Sequence, residues 1–179
     1  MERKPALLNV IVFLSLALVV RSVSAGDDDA KCVYTIYVRT GGVLKAGTDS
    51  KISLELWGRN GDGVRINDIE SWGGLMGPKH DYFERSNLDV FSGLGPCLNA
   101  PVCAMRVISD GSGAHHGWYC NHIEISTTGP HVQCAQKRFK VEQWLASDAY
   151  PYELSATRNY CSDSLSKQLV PDLKSISSI

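Results

Sequence analysis

Short runs in which apolar and polar residues alternate dominate the chain between residues 33 and 145. Alternation with a period of two is typical of a β-strand that buries one face, and Val33–Arg39 (VYTIYVR) and Lys51–Trp57 (KISLELW) show it most clearly. Four further segments have the same character, namely Tyr82–Val90, Val102–Ile108, Trp118–Ser126 and His131–Leu145. The pattern therefore predicts strands at these six places.

Glycine-rich segments separate the predicted strands. Glycine adopts the backbone conformations that tight turns require, so each segment marks a reversal of the chain. These segments are Gly41–Gly42, Asn60–Gly63, Gly73–Gly74, Gly93–Pro96, Gly111–Gly117 and Gly129–Pro130. Only the stretch after Cys161 carries a weak helical stripe. Several short strands with regular turns predict an all-β fold, either an antiparallel sandwich or a barrel.

The N-terminal segment has the parts of a secretory signal peptide. Arg3 and Lys4 precede an apolar run over residues 6–20, and small residues lead to Ala25. The run is shorter than the roughly 20 apolar residues that a bilayer span needs. We therefore expect residues 1–25 to be removed and no transmembrane anchor to remain.

The rest of the chain divides into one domain and a short tail. Residues 26–161 have the length of a single domain with its own core, and the Ser-rich residues 162–179 are expected to be a loosely held tail. The signal peptide places the protein in the secretory pathway. Because the C-terminus has no retention tetrapeptide, both secretion and residence in the endoplasmic reticulum remain open.

The balance of charge excludes one class of partner. The formal net charge is −1 at pH 7, and no basic patch or stripe of the kind that binds nucleic acid occurs. The chain also lacks a nucleophile elbow and an HExxH helix, and its carboxylates form no recognisable acid–base pair. We therefore expect a protein that is not an enzyme.

All six cysteines follow the predicted cleavage point, so disulfides are expected in an oxidising compartment. Cys97 and Cys103 bracket a short loop, which makes a local disulfide between them the first expectation. Cys32 and Cys161 lie at the two ends of the predicted domain, and a disulfide between them is the second. Spacing alone does not decide among the pairings.

The strand that begins at Trp118 poses a problem of register. Strict alternation cannot bury the apolar residues on both sides of Asn121, but a β-bulge near Asn121 places four residues inward, namely Trp118, Cys120, Ile123 and Ile125. Cys120 is then predicted to be a free thiol in the core. A disulfide between Cys120 and Cys134 is the alternative.

Three segments together resemble a known family. CVYTIYVRTGGVLKAGTDSKISLELWGRNGD, YFERSNLDVFSG and SDGSGAHHGWYCNHIEI stand in the order and spacing of a PLAT domain, the lipoxygenase-homology β-sandwich. The resemblance covers roughly Cys32 to Cys161 and is greatest to the small secreted plant PLAT proteins linked to stress. It implies two packed four-stranded antiparallel sheets and a non-catalytic module that binds membrane lipid or protein partners. The plant proteins are associated with the endoplasmic reticulum and promote tolerance of abiotic stress.

The resemblance also places calcium-binding loops at Gly47–Asp49 and around Asp110. Calcium prefers carboxylate and carbonyl oxygens supplied by loops. Asp49 and Asp110 are therefore the predicted ligands if the domain binds calcium, and no cofactor is otherwise expected. Asn60–Asp62 suits a hairpin turn better than an ion site.

The segment SDGSGAHHGWYCNH, residues 109–122, supports two interpretations. Its Asp110–Gly113 and Gly117–Trp118 portions resemble the turn and strand start of a PLAT domain, which makes the segment structural. The alternative is a small secreted metal-dependent enzyme that uses residues 115–122, with a transition metal held by His115, His116, Cys120 and His122. An inward Cys120 and glycine-flanked histidines disfavour the second interpretation.

The loop SWGGLMGPKH, residues 71–80, carries Trp72, Leu75 and Met76. Such a loop is suited to pushing apolar side chains into a lipid interface or onto a partner, with Lys79 near the headgroups. The alternative is that Trp72 folds back over the edge of the sandwich, which is the commoner position of a loop tryptophan.

Overall fold

The computed structural model describes residues 30–130, 132–161 and 176–179. The predicted signal peptide lies outside the described residues, and so do residues 162–175 of the predicted tail. Within the described ranges the chain forms a sandwich of two β-sheets, with nine strands and one short helix. The predicted all-β sandwich is confirmed.

Sheet A contains four strands, β1 (Lys31–Thr40), β4 (Leu88–Pro96), β6 (Trp118–Gly129) and β7 (Val132–Leu145). Their order is β4-β1-β6-β7, and all neighbours are antiparallel. β1 alternates strictly, and β4 and β6 alternate apart from one irregularity each, so each of these long strands buries a row of side chains against the second sheet.

Sheet B contains five strands, β2 (Ile52–Gly58), β3 (Gly63–Ile66), β5 (Val102–Ser109), β8 (Ser155–Asn159) and β9 (Ile176–Ser178). Their order is β8-β5-β2-β3-β9, with β9 parallel to β3. Four strands were expected here. The fifth strand, β9, comes from the end of the predicted tail. Residues 176–178 therefore pair with β3 and are part of sheet B.

One predicted strand is displaced. In the segment Tyr82–Val90 only the last three residues belong to β4, and the residues before them form turns. Phe83 and Ser86 have φ angles of 59° and 66°, a left-handed conformation that interrupts a strand. The strands β3 and β8 and the helix α1 (Ile69–Gly73) were not predicted.

The inward rows of both sheets form one continuous hydrophobic core. The β1 row supplies Cys32, Tyr34, Ile36 and Val38, and the β2 row supplies Ile52, Leu54 and Leu56. The Tyr34 hydroxyl satisfies its hydrogen-bonding need by donating to the Pro96 carbonyl at 2.6 Å. Burial raises the pKa of Tyr34 to about 12, so the ring stays neutral in the core.

The predicted bulge at Asn121 is confirmed. Arg39 pairs with His122 and Thr40 with Cys120, so Asn121 is an extra residue on β6 relative to β1. The four residues predicted to point inward are all buried, namely Trp118, Cys120, Ile123 and Ile125. Cys120 is a free buried thiol as predicted, and Cys134 is free and exposed.

Both predicted disulfide pairings are wrong, although the four cysteines are the ones that pair. Cys32 is bonded to Cys97 and Cys103 to Cys161. Each bond stays within one sheet: Cys97 follows β4, which lies beside the β1 strand of Cys32, while Cys161 follows β8, which lies beside the β5 strand of Cys103. The short loop between Cys97 and Cys103 crosses from sheet A to sheet B, which directs the two side chains to different neighbours.

The two ends of the sandwich differ in character. We call one the loop end, because it collects the four longest described connections, residues 41–51, 67–87, 110–117 and 146–154. We call the other the far end, which carries the short connections 59–62 and 97–101 and both disulfides.

Candidate functional site

Two loops at the loop end are joined through their aspartates. The Asp49 amide donates to the His115 carbonyl at 3.0 Å, and the His115 amide donates to Asp49 Oδ2 at 3.1 Å. The Asp110 amide donates to the Lys51 carbonyl at 3.1 Å, and the Lys51 amide donates to Asp110 Oδ1 at 3.1 Å. Each carboxylate therefore binds the backbone of the other loop.

The hydrogen bonds to Asp110 also set its ionisation. Desolvation alone raises the pKa of this carboxyl, but hydrogen bonds from Ser112 and Lys51 and the charge of Lys51 outweigh it, so the pKa lies below its ordinary value. The Ser112 amide donates to Asp110 Oδ1 at 2.9 Å. Asp110 is therefore an ionised acceptor at neutral pH.

The predicted calcium ligands do not fit a preformed calcium site. Calcium takes about six to eight oxygens in proteins, whereas Asp49 and Asp110 already accept backbone amide hydrogens. Across residues 30–130, 132–161 and 176–179, no group of three or more His, Cys, Asp or Glu side chains is placed to hold a metal ion. The geometry assigns both aspartates to joining the loops.

The histidine-rich segment does not converge on a single point. His115 Nδ1 lies 3.2 Å from Asp49 Oδ2, and His116 Nε2 lies 3.6 Å from Asp148 Oδ2, so the two imidazoles join different loops. Cys120 points into the core. The transition-metal site proposed for residues 115–122 is therefore not assembled by this fold.

Of the other two members of that segment, the Cys120 thiol is unsuited to metal binding and the Nδ1 atom of His122 already has protein partners. Burial raises the pKa of the Cys120 thiol, which stays protonated. His122 lies near Asn121 and Arg138, with ring-nitrogen distances of 2.7 Å and 3.1 Å. Burial, with the Arg138 charge second, lowers the pKa of His122.

A groove of about 630 Å³ opens at the loop end. Its walls come from four separate segments of the chain. The side chains that line it include Leu44, Lys45, Arg85, His116, Trp144 and Asp148. The indole of Trp144 packs edge-on against Tyr119 with 5.4 Å between ring centroids. Sequence reasoning missed this groove because its walls are far apart in the chain.

The rim of the groove carries an exposed apolar tip formed by Val43 and Leu44, with exposed fractions of 44% and 75%. The tip is held in place from both sides. The Ser86 amide donates to the Gly41 carbonyl at 3.1 Å, and the Ala46 amide donates to the Val43 carbonyl at 3.2 Å. Two apolar side chains are thus presented to solvent on a fixed turn, directly before Lys45.

The Trp72 loop follows the edge of sheet A. The Leu75 amide donates to the Val90 carbonyl at 3.0 Å, so the loop runs along β4. The Trp72 ring covers Gly93 so closely that a β-carbon added at Gly93 would lie 2.5 Å from it. Trp72 therefore folds back over the sandwich edge, while Leu75 and Met76 stay exposed.

This position gives Trp72 a structural role that is testable. We expect Trp72→Ala to lower the free energy of unfolding by about 1–3 kcal/mol, because a partly buried ring that packs on the core is lost. Chemical denaturation measures the change. Leu75→Ala, in the same loop but exposed, should stay within about 0.5 kcal/mol of the wild type. Equal stability of all three proteins would contradict the assignment.

Comparison with known protein families matches residues 34–157 to the PLAT/LH2 domain. The chain belongs to the PLAT/LH2 family. PLAT domain-containing protein 2 of Arabidopsis thaliana is 56% identical over 158 residues, which span 87% of this chain and 86% of that protein. PLAT domain-containing protein 3 of the same plant is 61% identical over 104 residues, which span 58% of this chain and 100% of that protein.

Solved structures confirm the fold of this PLAT domain. The crystal structure of the lipoxygenase variant Delta413-417:GS LOX superposes with a TM-score of 0.51 at 20% identity, over 71% of this chain and 16% of that one. The relatives indicate a non-catalytic PLAT module and no catalytic family. Among the described residues, no helix is both long and apolar enough to cross a bilayer.

Proposed function

We propose that this PLAT domain is a module of the secretory pathway that docks on a membrane lipid surface through its loop end and thereby promotes tolerance of abiotic stress. The observation that carries the docking proposal is the fixed, exposed tip of Val43 and Leu44. The location is supported by the signal-peptide pattern of residues 1–25. The role in stress is supported by the family resemblance.

Lys45, directly after Leu44 in the chain, is the cation through which we expect the tip to favour anionic lipid. Lys45 and Arg85 line the groove behind Leu44 together with the acidic Glu84 and Asp148, so the groove itself carries no excess of positive charge. A cation near an anionic bilayer contributes about 1 kcal/mol, and an apolar side chain that enters the interface adds to it. The combination of an apolar tip and a flanking cation is the arrangement that peripheral membrane proteins use.

A sedimentation assay tests the proposal. Vesicles of phosphatidylcholine with phosphatidylserine should pellet the wild-type protein, and Leu44→Ser should bind about tenfold less tightly, because burial of a leucine contributes about 1.5–3 kcal/mol. Leu94→Ser is the matched control, since Leu94 is 60% exposed but lies on β4 near the far end. Equal binding of Leu44→Ser and the wild type would overturn the proposal.

Calcium is a variable of the same assay. Since Asp49 and Asp110 already join the two loops, docking in this proposal needs no calcium. Sedimentation should therefore persist in EDTA. Binding that appears only with added calcium would assign the ion a role that the proposal does not include.

A protein partner is the second candidate. Tyr150 is 81% exposed on the β7–β8 connection, and the neighbouring Tyr152 is also exposed, with the two rings in edge-on contact at 6.3 Å. Tyrosine is enriched in protein interfaces. If the wild-type protein does not sediment with vesicles, this candidate replaces the first.

A further inference from the structure

A second cavity lies at the far end, away from the proposed docking surface. It has a volume of about 370 Å³ and is lined by residues of both sheets and by Tyr160 and Cys161, which follow β8. Its apolar wall is formed by Val102, Ile125 and Tyr160 together with the Cys103–Cys161 disulfide. The volume is at the small end of the range for ligand sites, which is about 300–1,000 Å³.

One wall carries a lysine where the strand pattern requires a core residue. Lys137 pairs with Ile125, whose side chain is buried, and it follows Ala135 on the inward row that continues to Phe139 and Val141. Its Nζ lies 5.3 Å from the centroid of the Tyr160 ring. The Tyr160 ring in turn stacks on Phe139 with 5.4 Å between centroids. The ammonium group is thus held at the mouth of the cavity.

Among the described residues that line this cavity, no acidic side chain offsets its positive charge. Arg59, on the β2–β3 turn, lines the cavity together with Lys137, and the lining contains neither Asp nor Glu. In the part of the chain that the structure describes, neither cation takes part in an ion pair. A guanidinium and an ammonium beside an apolar wall are complementary to an anion with an apolar body.

We infer that the far-end cavity binds a small amphipathic carboxylate. The carboxylate group contacts Arg59 and Lys137, and the apolar body lies against Val102, Ile125 and Tyr160. Arginine binds a carboxylate with two parallel hydrogen bonds, and lysine adds a point charge. The size of the cavity restricts the body to a medium-length alkyl chain or a single ring. This site is separate from the loop end and does not depend on the proposed docking function.

Calorimetric titration with octanoate, below the concentration at which it forms micelles, tests the inference. The wild-type protein should bind one octanoate saturably. Octanamide, which has the same shape without the charge, should bind about tenfold more weakly, because hydrogen bonds to charged groups are among the strongest in proteins. Equal affinity for the two compounds, or no saturable binding of octanoate, would overturn the inference.

Variants locate the site. Lys137→Met should weaken octanoate binding about tenfold, and Lys140→Met is the matched control on the same strand, since Lys140 is exposed and pairs with Glu142. If Lys137→Met does not fold, Arg59→Gln on the turn provides the same test. Wild-type affinity in Lys137→Met or Arg59→Gln would refute the assignment. Leu44→Ser should bind octanoate normally, which separates this site from membrane docking.

Discussion

Trp118→Ala is expected to lower the free energy of unfolding by about 3–5 kcal/mol, the usual cost of removing a fully buried tryptophan. The Trp118 side chain is buried completely and packs edge-on against Phe83 with 5.5 Å between ring centroids. Its indole nitrogen donates to the hydroxyl of Thr40 at 3.0 Å. The substitution therefore opens a cavity and also leaves a buried hydroxyl without its donor.

Urea denaturation of the purified protein measures this change. Trp144→Ala is the matched control, because Trp144 is only partly buried and its indole packs on the surface-facing Tyr119. Trp118→Phe separates the two contributions, since it keeps most of the ring volume and removes the hydrogen bond to Thr40. A Trp118→Ala protein as stable as Trp144→Ala would show that the core does not depend on this ring.

The effect should reach the loop end as well. Trp118 begins β6 directly after the loop over residues 110–117, and the Gly41 amide, at the start of the loop that carries the exposed tip, donates to the Tyr119 carbonyl at 2.9 Å. Loss of the buried ring removes the anchor of both loops. Vesicle binding by Trp118→Ala should therefore fall together with its stability.

Removal of the Cys32–Cys97 disulfide is expected to lower the free energy of unfolding by about 2–5 kcal/mol. The bond closes a loop over a sequence separation of 65 residues, and cross-links that close long loops restrict the unfolded chain most. The double substitution Cys32→Ala with Cys97→Ala removes both sulfurs, so neither partner of the bond is left as an unpaired thiol. Thermal and chemical denaturation under non-reducing conditions measure the loss.

Cys134→Ala is the control for that experiment, because Cys134 is exposed and unbonded. Its stability should stay within about 0.5 kcal/mol of the wild type. Peptide mapping without reduction gives an independent reading, with Cys32 joined to Cys97 and Cys103 joined to Cys161. A peptide that joins Cys97 to Cys103 would restore the pairing expected from the spacing of the sequence.

The long strands were predictable because their alternation reflects burial directly. In β1 the inward residues are apolar except Thr40, and the outward residues are polar or partly exposed, so a period of two marks β1 to within about two residues; β5 keeps the same period from Met105 onward. The bulge at Asn121 was predictable for the same reason. Two sets of residues that must be buried cannot share one register, and an extra residue is the simplest solution.

The remaining elements escaped prediction because tertiary contacts determine them. Tyr82 and Phe83 are both buried and imitate a strand, yet they cover the core as a turn, in which the Phe83 amide donates to the buried Asp89 carboxylate at 2.8 Å. The strand β8 carries Arg158 on its inward row, where the guanidinium bonds to the Lys140 carbonyl of sheet A at 2.9 Å. No local sequence pattern predicts that an arginine will form hydrogen bonds between the two sheets.

The candidate sites, like the fold, were predictable from the local sequence only in part. Asp49 and Asp110 were predicted as calcium ligands, and the role in joining loops that the structure gives them depends on backbone amides that composition does not reveal. The groove at the loop end and the far-end cavity were missed because each is built from segments distant in sequence. An inward lysine such as Lys137 was the one local signal available, since it breaks the apolar row of β7.

The two disulfides both lie at the far end, so the covalent cross-links of this domain are all at one end of the sandwich. The loop end has no such cross-link, and its exposed tip of Val43 and Leu44 can change sequence without disturbing the cross-linked frame. Reduction of the two disulfides should therefore increase the flexibility of the chain termini before it changes the conformation of the loops at the loop end. For protein engineers, the domain therefore offers a disulfide-linked far end that supports new recognition sequences placed at the loop end.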